Sequence, residues 1–224
     1  MYKMSIGSTI AFLKEKLPAN VKLVAVSKFH PPGDILEAYR AGQRVFGENR
    51  AQELAAKRNV LPQDIEWHFI GPLQANKVKD MAAFVHTIHS VDSLKLLREI
   101  NKQAGKYGRI INVLLEIHIA KEESKHGFTP QECKQLLGEE DLNLFGNIRI
   151  CGLMGMATFT EDMEEVRQEF RLLRSLFEEL KSTAFKDNSF FCELSMGMTG
   201  DYEAAMEEGS TIVRIGSFIF GSRA

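Results

Sequence analysis

The sequence predicts a (β/α)8 barrel with one additional helix before the first strand. Three observations carry this expectation. Strand-like and helix-like segments alternate from end to end, eight strand-like segments occur, and no linker or low-complexity tract divides them. An open doubly wound sheet is the competing fold, but it gives no reason to stop after eight similar units. The chain is therefore expected to be one domain over residues 1–224, of the architecture known as the TIM barrel.

Before the first strand, Ile6, Ile10, Leu13 and Leu17 line one face of the additional helix. Val21 to Phe29 opens with alternation, becomes an apolar run and meets Pro31-Pro32-Gly33, which predicts the first strand. A short helix around Ile35 to Tyr39 stops near Gly42. Arg44 to Phe46 is the second strand, and Asn49 to Arg58 its helix. Ile65 to Ile70 is the third strand, ending at Gly71-Pro72, with a helix starting near Gln74. Phe84 to Ile88 is the fourth. Val91, Leu94, Leu97 and Ile100 mark the following helix, with Asp92 in its first turn.

Ile110 to Ile119 is the fifth strand, and Thr129 or Pro130 starts the next helix. Ile148 to Leu153 is the sixth. Met163, Val166, Phe170, Leu173, Phe177 and Leu180 mark the longest amphipathic helix. Phe190 to Leu194, a short helix over Asp201 to Met206, and Thr211 to Ile215 complete the series.

Composition limits the function classes. The 224 residues hold 28 Lys and Arg against 30 Asp and Glu, for a net charge of -2, so no bulk affinity for nucleic acid or membrane is expected. No apolar run is long enough to span a bilayer, and no signal segment opens the sequence. Cys133, Cys151 and Cys192 form no CxxC or CxxH pair, so neither a disulfide framework nor a zinc site is expected. Cys151 and Cys192 read as buried thiols of a protein in a reducing, cytoplasmic compartment. The histidines show no metal motif. His86 and His89 lack a third ligand at an informative spacing, and no metal is expected.

In such a barrel the chemistry gathers at the C-terminal strand ends. Lys28 closes the first strand, where a lysine held in the mouth can form an imine with an aldehyde, or simply snorkel from the rim. Ser195, Gly197, Thr199 and Gly200 follow the seventh strand, and Gly216 and Ser217 follow the eighth. Hydroxyls and unobstructed amides at these two loops suit a phosphate, although tight turns with ordinary caps read the same way. Arg214 offers a fixed fork for a ring nitrogen or an oxyanion, or for a structural ion pair. Met154 and Met156 could touch a ring through sulfur, or pack in the core.

Taken together, Leu23 to Lys28, Phe46 to Arg50, His68 to Gly71, Leu73-Gln74-x-Asn76-Lys77, Gly152-Leu153-Met154, Ser195 to Met198, and Arg214-Ile215-Gly216 with Phe220-Gly221 resemble one known family. It is the pyridoxal phosphate homeostasis proteins, also called the YggS or PROSC family, which are similar to the barrel domain of alanine racemase without its second β-domain. The likeness runs from about Val21 to Arg223. It implies pyridoxal 5′-phosphate joined to Lys28 as an internal aldimine, and phosphate contacts from Ser195, Gly197, Thr199 and the Gly216-Ser217 backbone. It places Arg214 near the pyridine nitrogen, Asn49 near the ring, Met154 against it, and His68 as a pocket neighbour of unassigned role. Three positions depart from the common pattern: Thr199 for serine, His118 for asparagine and Pro72 for histidine.

The resemblance implies a noncatalytic, monomeric protein that binds pyridoxal 5′-phosphate or a related B6 vitamer, with cofactor-dependent apoenzymes as recipients. A weak amino-acid racemase and a noncovalent phosphate-ligand barrel are the alternatives. Racemisation needs a base on each face of the substrate carbon. Lys28 serves one face, and Tyr2, Tyr39, Tyr107 and Tyr202 are not placed to serve the other.

Overall fold

The computed structural model describes residues 4–121 and 126–221. Eight parallel strands close into a ring in sequence order. They are β1 (Lys22–Val26), β2 (Val45–Glu48), β3 (Glu66–Phe69), β4 (Thr87–Val91), β5 (Ile111–Ile117), β6 (Ile148–Gly155), β7 (Glu193–Ser195) and β8 (Ile212–Ile215). β8 returns to β1 with Lys22 opposite Ile212 and Ala25 opposite Ile215. The helices are α1 (Ile6–Lys16), α2 (Pro32–Arg40), α3 (Ala51–Val60), α4 (Leu94–Lys106), α5 (Pro130–Glu139), α6 (Met163–Ser182), α7 (Tyr202–Glu207) and α8 (Ser217–Phe220). The predicted barrel and its additional N-terminal helix are both present.

Local chemistry explains the helix starts. Ser5, Ser93 and Asp162 accept backbone N–H groups at the heads of α1, α4 and α6. Thr129 and Glu132 form a reciprocal capping box on α5. Asp92, expected inside the first turn of α4, precedes its cap at Ser93.

Three further elements and one side chain differ from expectation. The connection after β3 starts where expected but is a 3-10 helix over Ala75–Asp80, closed as the Met81 N–H donates to the Val78 carbonyl. β4 begins at Thr87 instead of Phe84. Val85 is fully buried in the connection, and the polar His89 and Ser90 belong to the strand because the barrel interior gives them partners. β7 is confined to Glu193–Ser195, since Phe191 packs against Phe177 and Phe185 at ring distances of 5.1 and 4.1 Å. Cys192 is exposed, not buried: it lies outside the strand, between the core residue Phe191 and half-buried Glu193.

The main apolar core fills the space between sheet and helices. A second, smaller cluster of Val24, Leu114, Cys151, Met154 and Ile212 unites strands from across the ring, and so fills its lumen. Between β5 and β6 the register shifts, with Val113 opposite Ile150 but Leu114 opposite Gly152. The extra residue is Cys151, a β-bulge. Gly152 is required there because a Cβ would overlap the Glu193 carbonyl on β7. Gly152→Ala is expected to lower folding stability by more than about 3 kcal/mol, read as a shift of the urea midpoint. A midpoint unchanged from wild type would show that β7 yields freely.

Candidate functional site

The site grows from the end of β1. Ser27 is fully buried, Lys28 half-exposed, and Phe29 takes φ 68°, a left-handed backbone unusual for a phenylalanine. Lys57, brought from α3, holds this segment. Its ammonium donates to the Ser27 carbonyl at 2.8 Å, to Glu48 Oε1 at 2.7 Å and to Glu53 Oε1 at 2.7 Å, which uses all three of its protons. Ser27 Oγ donates to Glu48 Oε1 at 2.6 Å, and the Phe29 N–H donates to Glu53 Oε1 at 2.7 Å. Burial pushes the Glu48 carboxyl up, and Lys57 and Ser27 pull against that shift. The pair therefore fixes both peptide groups flanking Lys28 and aims its side chain at the barrel mouth.

A cavity of about 610 Å³ opens there, and Lys28 lines it. Thr199 and Gly200 after β7, and Gly216 and Ser217 after β8, form the polar wall beside Arg214. Met156, Phe159, Met163 and Met198 form an apolar wall. The Gly216 N–H donates to Thr199 Oγ1 at 3.3 Å, which joins the two loops. A Cβ on Gly216 would come within 3.1 Å of the Val26 carbonyl, so glycine lets the last loop approach β1.

Arg214 is fixed from below. It donates to the Ser195 carbonyl at 2.9 Å, Ser195 Oγ at 2.6 Å and the Gly155 carbonyl at 3.0 Å. Burial pulls its pKa down to about 10, which leaves it charged at neutrality. Beneath it, His89 Nδ1 pairs with Ser195 Oγ at 3.0 Å, and His89 Nε2 pairs with His68 Nδ1 at 2.8 Å. Burial holds both imidazoles well below the ordinary histidine range.

Of the residues expected from sequence, Lys28, Met156, Thr199, Gly200, Arg214, Gly216 and Ser217 meet at this cavity. The others stand apart from its lining. Met154 lies one layer down in the lumen cluster, and Met156 takes the lining position. Ser195 is fully buried, with its hydroxyl engaged by Arg214 and His89. Gly197 packs on α7, where a Cβ would reach Ala205 at 2.6 Å. His68 is the lower end of the polar column. Asn49 carries a buried Oδ1 with no hydrogen-bond partner, and Gly71 presses on its backbone where a Cβ would come within 2.6 Å. His118 bonds the Ala120 carbonyl at 2.8 Å.

Sequence reasoning missed His30, Asp201 and Phe159 as lining residues, and Glu116 beneath the mouth. Glu116 is 4% exposed. Desolvation first, then repulsion by Asp92, pushes its carboxyl up to about 7. No motif marks it, although a glutamate inside an apolar strand is itself a signal.

Two tests follow from this geometry. Lys57→Met strands Glu48 in the interior and should cost about 3–5 kcal/mol in chemical denaturation; a loss below about 1 kcal/mol would deny the ammonium its anchoring role. For Glu116, the folded value of about 7 exceeds the ordinary 4.5, so the folded chain binds the proton more tightly. Its contribution is fullest below about 4.5 and is lost as pH rises through about 7. Between pH 4.5 and pH 8, Glu116→Gln should therefore gain about 3 kcal/mol relative to wild type. Parallel stability profiles for the two chains would disprove the shift.

The family described as the alanine racemase N-terminal domain matches residues 5–224. A pyridoxal phosphate homeostasis protein of Aquifex aeolicus is 45% identical over 203 residues, covering 90% of this chain and 87% of that one. PipY of Synechococcus elongatus, solved without PLP, superposes with a TM-score of 0.90 at 37% identity, over 97% of this chain and 100% of that chain. The same protein with PLP bound gives 0.87 at 37% identity, with coverage of 97% and 100%. Family match, identity and superposition all extend across the barrel and its mouth. The chain belongs to the alanine racemase N-terminal domain family and, within it, to the pyridoxal phosphate homeostasis proteins.

Proposed function

We propose that the chain binds pyridoxal 5′-phosphate in the mouth cavity and serves the cell's vitamin B6 economy as a carrier and buffer. One observation carries the reading: a lysine, a hydroxyl, two glycine-bearing loops and a buried guanidinium converge on one cavity from β1, β7 and β8. The names of the relatives and the PLP-bound PipY structure support it.

The residues fit such a group. Thr199 and the Gly216-Ser217 segment would hold the phosphate, with Gly200 beside them. Lys28 Nζ would take the covalent bond. When bound, the cofactor supplies an aldehyde and an electron-withdrawing ring. Arg214 can only donate, so it would hold the ring nitrogen unprotonated and weaken that electron sink.

A noncatalytic role agrees with the lining. Tyr39 bonds Asp64, Tyr107 caps α4, and Tyr202 bonds Glu203; none of these lines the cavity, and Tyr2 lies outside the described residues. Of the acid–base groups that do, His30 pairs with Asp34 at 3.2 Å and stacks on Phe220, and Asp201 accepts the Met198 N–H at 2.5 Å. Neither is poised as a second base. The recipients would be apoenzymes that need the cofactor.

Borohydride reduction followed by peptide mass measurement should place one phosphopyridoxyl group on Lys28. A label confined to any other lysine rejects the assignment. Binding should favour pyridoxal 5′-phosphate over pyridoxal by at least about tenfold, the order of one or two charge-assisted hydrogen bonds. Gly216→Val should erase that preference. Repeated amino-acid racemisation that vanishes in Lys28→Ala would overturn the noncatalytic reading.

A further inference from the structure

The N-terminal floor of the barrel holds a second cluster of ligating groups. Glu66 and His68 stand two residues apart on β3 and so share one face of the strand. His86 precedes β4, and its N–H donates to the Trp67 carbonyl. One ligand atom from each of Glu66, His68 and His86 lies within 4.8 Å of the other two. This cluster stands at the opposite end of the strands from Lys28 and shares no residue with the mouth cavity.

The hydrogen bonds decide which atoms remain available. His68 Nδ1 is taken by His89 at 2.8 Å, and His86 Nδ1 by Thr87 Oγ1 at 2.9 Å. Nε2 is therefore the remaining nitrogen on both rings. On His68, which is fully buried, Nε2 has no hydrogen-bond partner. A buried ring nitrogen without a partner is costly unless something else engages it. The two rings stack at 5.6 Å with an interplanar angle of 4°, and His86 Nε2 lies 3.8 Å from Glu66 Oε2.

We propose that Glu66, His68 and His86 form a binding site for a divalent transition-metal ion of the zinc class. Two imidazoles and one carboxylate are a common zinc donor set and leave a fourth position for water. Zinc bonds of 2.0–2.2 Å need ligand atoms about 3.3 Å apart. Glu66 and His86 are both half-buried side chains near the rim and can close the remaining gap, while His68 stays fixed. His89 supplies the outer hydrogen bond that orients a ligating imidazole. The nearby cation, Lys22, is paired with Glu193 Oε1 at 3.0 Å. Sequence inspection paired His86 with His89 and found no third ligand. The true neighbours sit on the adjacent strand, which spacing along one segment does not reveal.

The test uses the full chain with its cofactor, stripped of metal by a chelator and titrated calorimetrically with Zn2+. One saturable site per chain is expected. Its affinity should fall at least tenfold in His86→Ala and in Glu66→Gln, whose partly exposed positions spare the fold. Cys192→Ser, which removes the exposed thiol, should leave it unchanged. Co2+ in place of Zn2+ should give visible absorption of a tetrahedral or five-coordinate nitrogen–oxygen site, lost in His86→Ala. Absence of saturable binding, binding indifferent to His86→Ala, or binding abolished by Cys192→Ser would overturn the proposal.

Discussion

The buried ammonium of Lys57 is the constraint around which the mouth is arranged. An unpaired charge in that position would be strongly destabilising, and so would either carboxylate without it. The three groups are therefore obliged to stay together, and with the Ser27 carbonyl they tie three parts of the first two β/α units. Glu48 ends β2, Glu53 and Lys57 sit one turn apart on α3, and the carbonyl of Ser27 lies just past the end of β1. Their union leaves little freedom to the peptide between them. The left-handed turn at Phe29 is tolerated because Glu53 accepts its N–H. Lys28 thus inherits its direction from an ion pair in which it takes no part.

The lumen divides into two halves of opposite character. Val24, Leu114, Met154 and Ile212 fill one with apolar groups. Arg214, Ser195, His89 and His68 run through the other as a chain of hydrogen bonds. Arg214 has neutral oxygens as its direct partners, while Glu116 and Asp201 act on it only through space. The guanidinium consequently meets the mouth with no carboxylate among its direct hydrogen-bond partners, and Asp201 on the lining offsets its charge through space. The raised carboxyl of Glu116 belongs to the same arrangement, since burial in the lumen penalises its charged form.

The barrel and its helices were legible because apolar periodicity survives wherever a strand faces a helix. Strand ends were also legible, so Lys28, Thr199, Arg214, Gly216 and Ser217 could be assembled before any coordinates. Depth within the lumen was not. Met154 lies within β6 and Met156 just beyond its end, and only the depth at which the strand stops decides which one reaches the cavity. Ser195 and Thr199 look equivalent in the sequence, yet Arg214 claims the first. β4 was misplaced because His89 and Ser90 resemble a turn when their partners, Ser195 and the Gly71 carbonyl, lie far away in sequence. Lys57 was invisible for the same reason: a lysine on a polar helix carries no mark of burial.

The pairing of β8 with β1 has a consequence for the newly made chain. Lys28 emerges from the ribosome early, while Thr199 emerges only after six more strands and Gly216 after seven. Until β8 docks beside β1, no wall stands opposite the lysine, and the amine of a nascent barrel is an ordinary solvated one. Capture of a ligand in the mouth is thereby deferred until the ring has closed, so that occupancy reports completion of the whole fold and not of any single β/α unit.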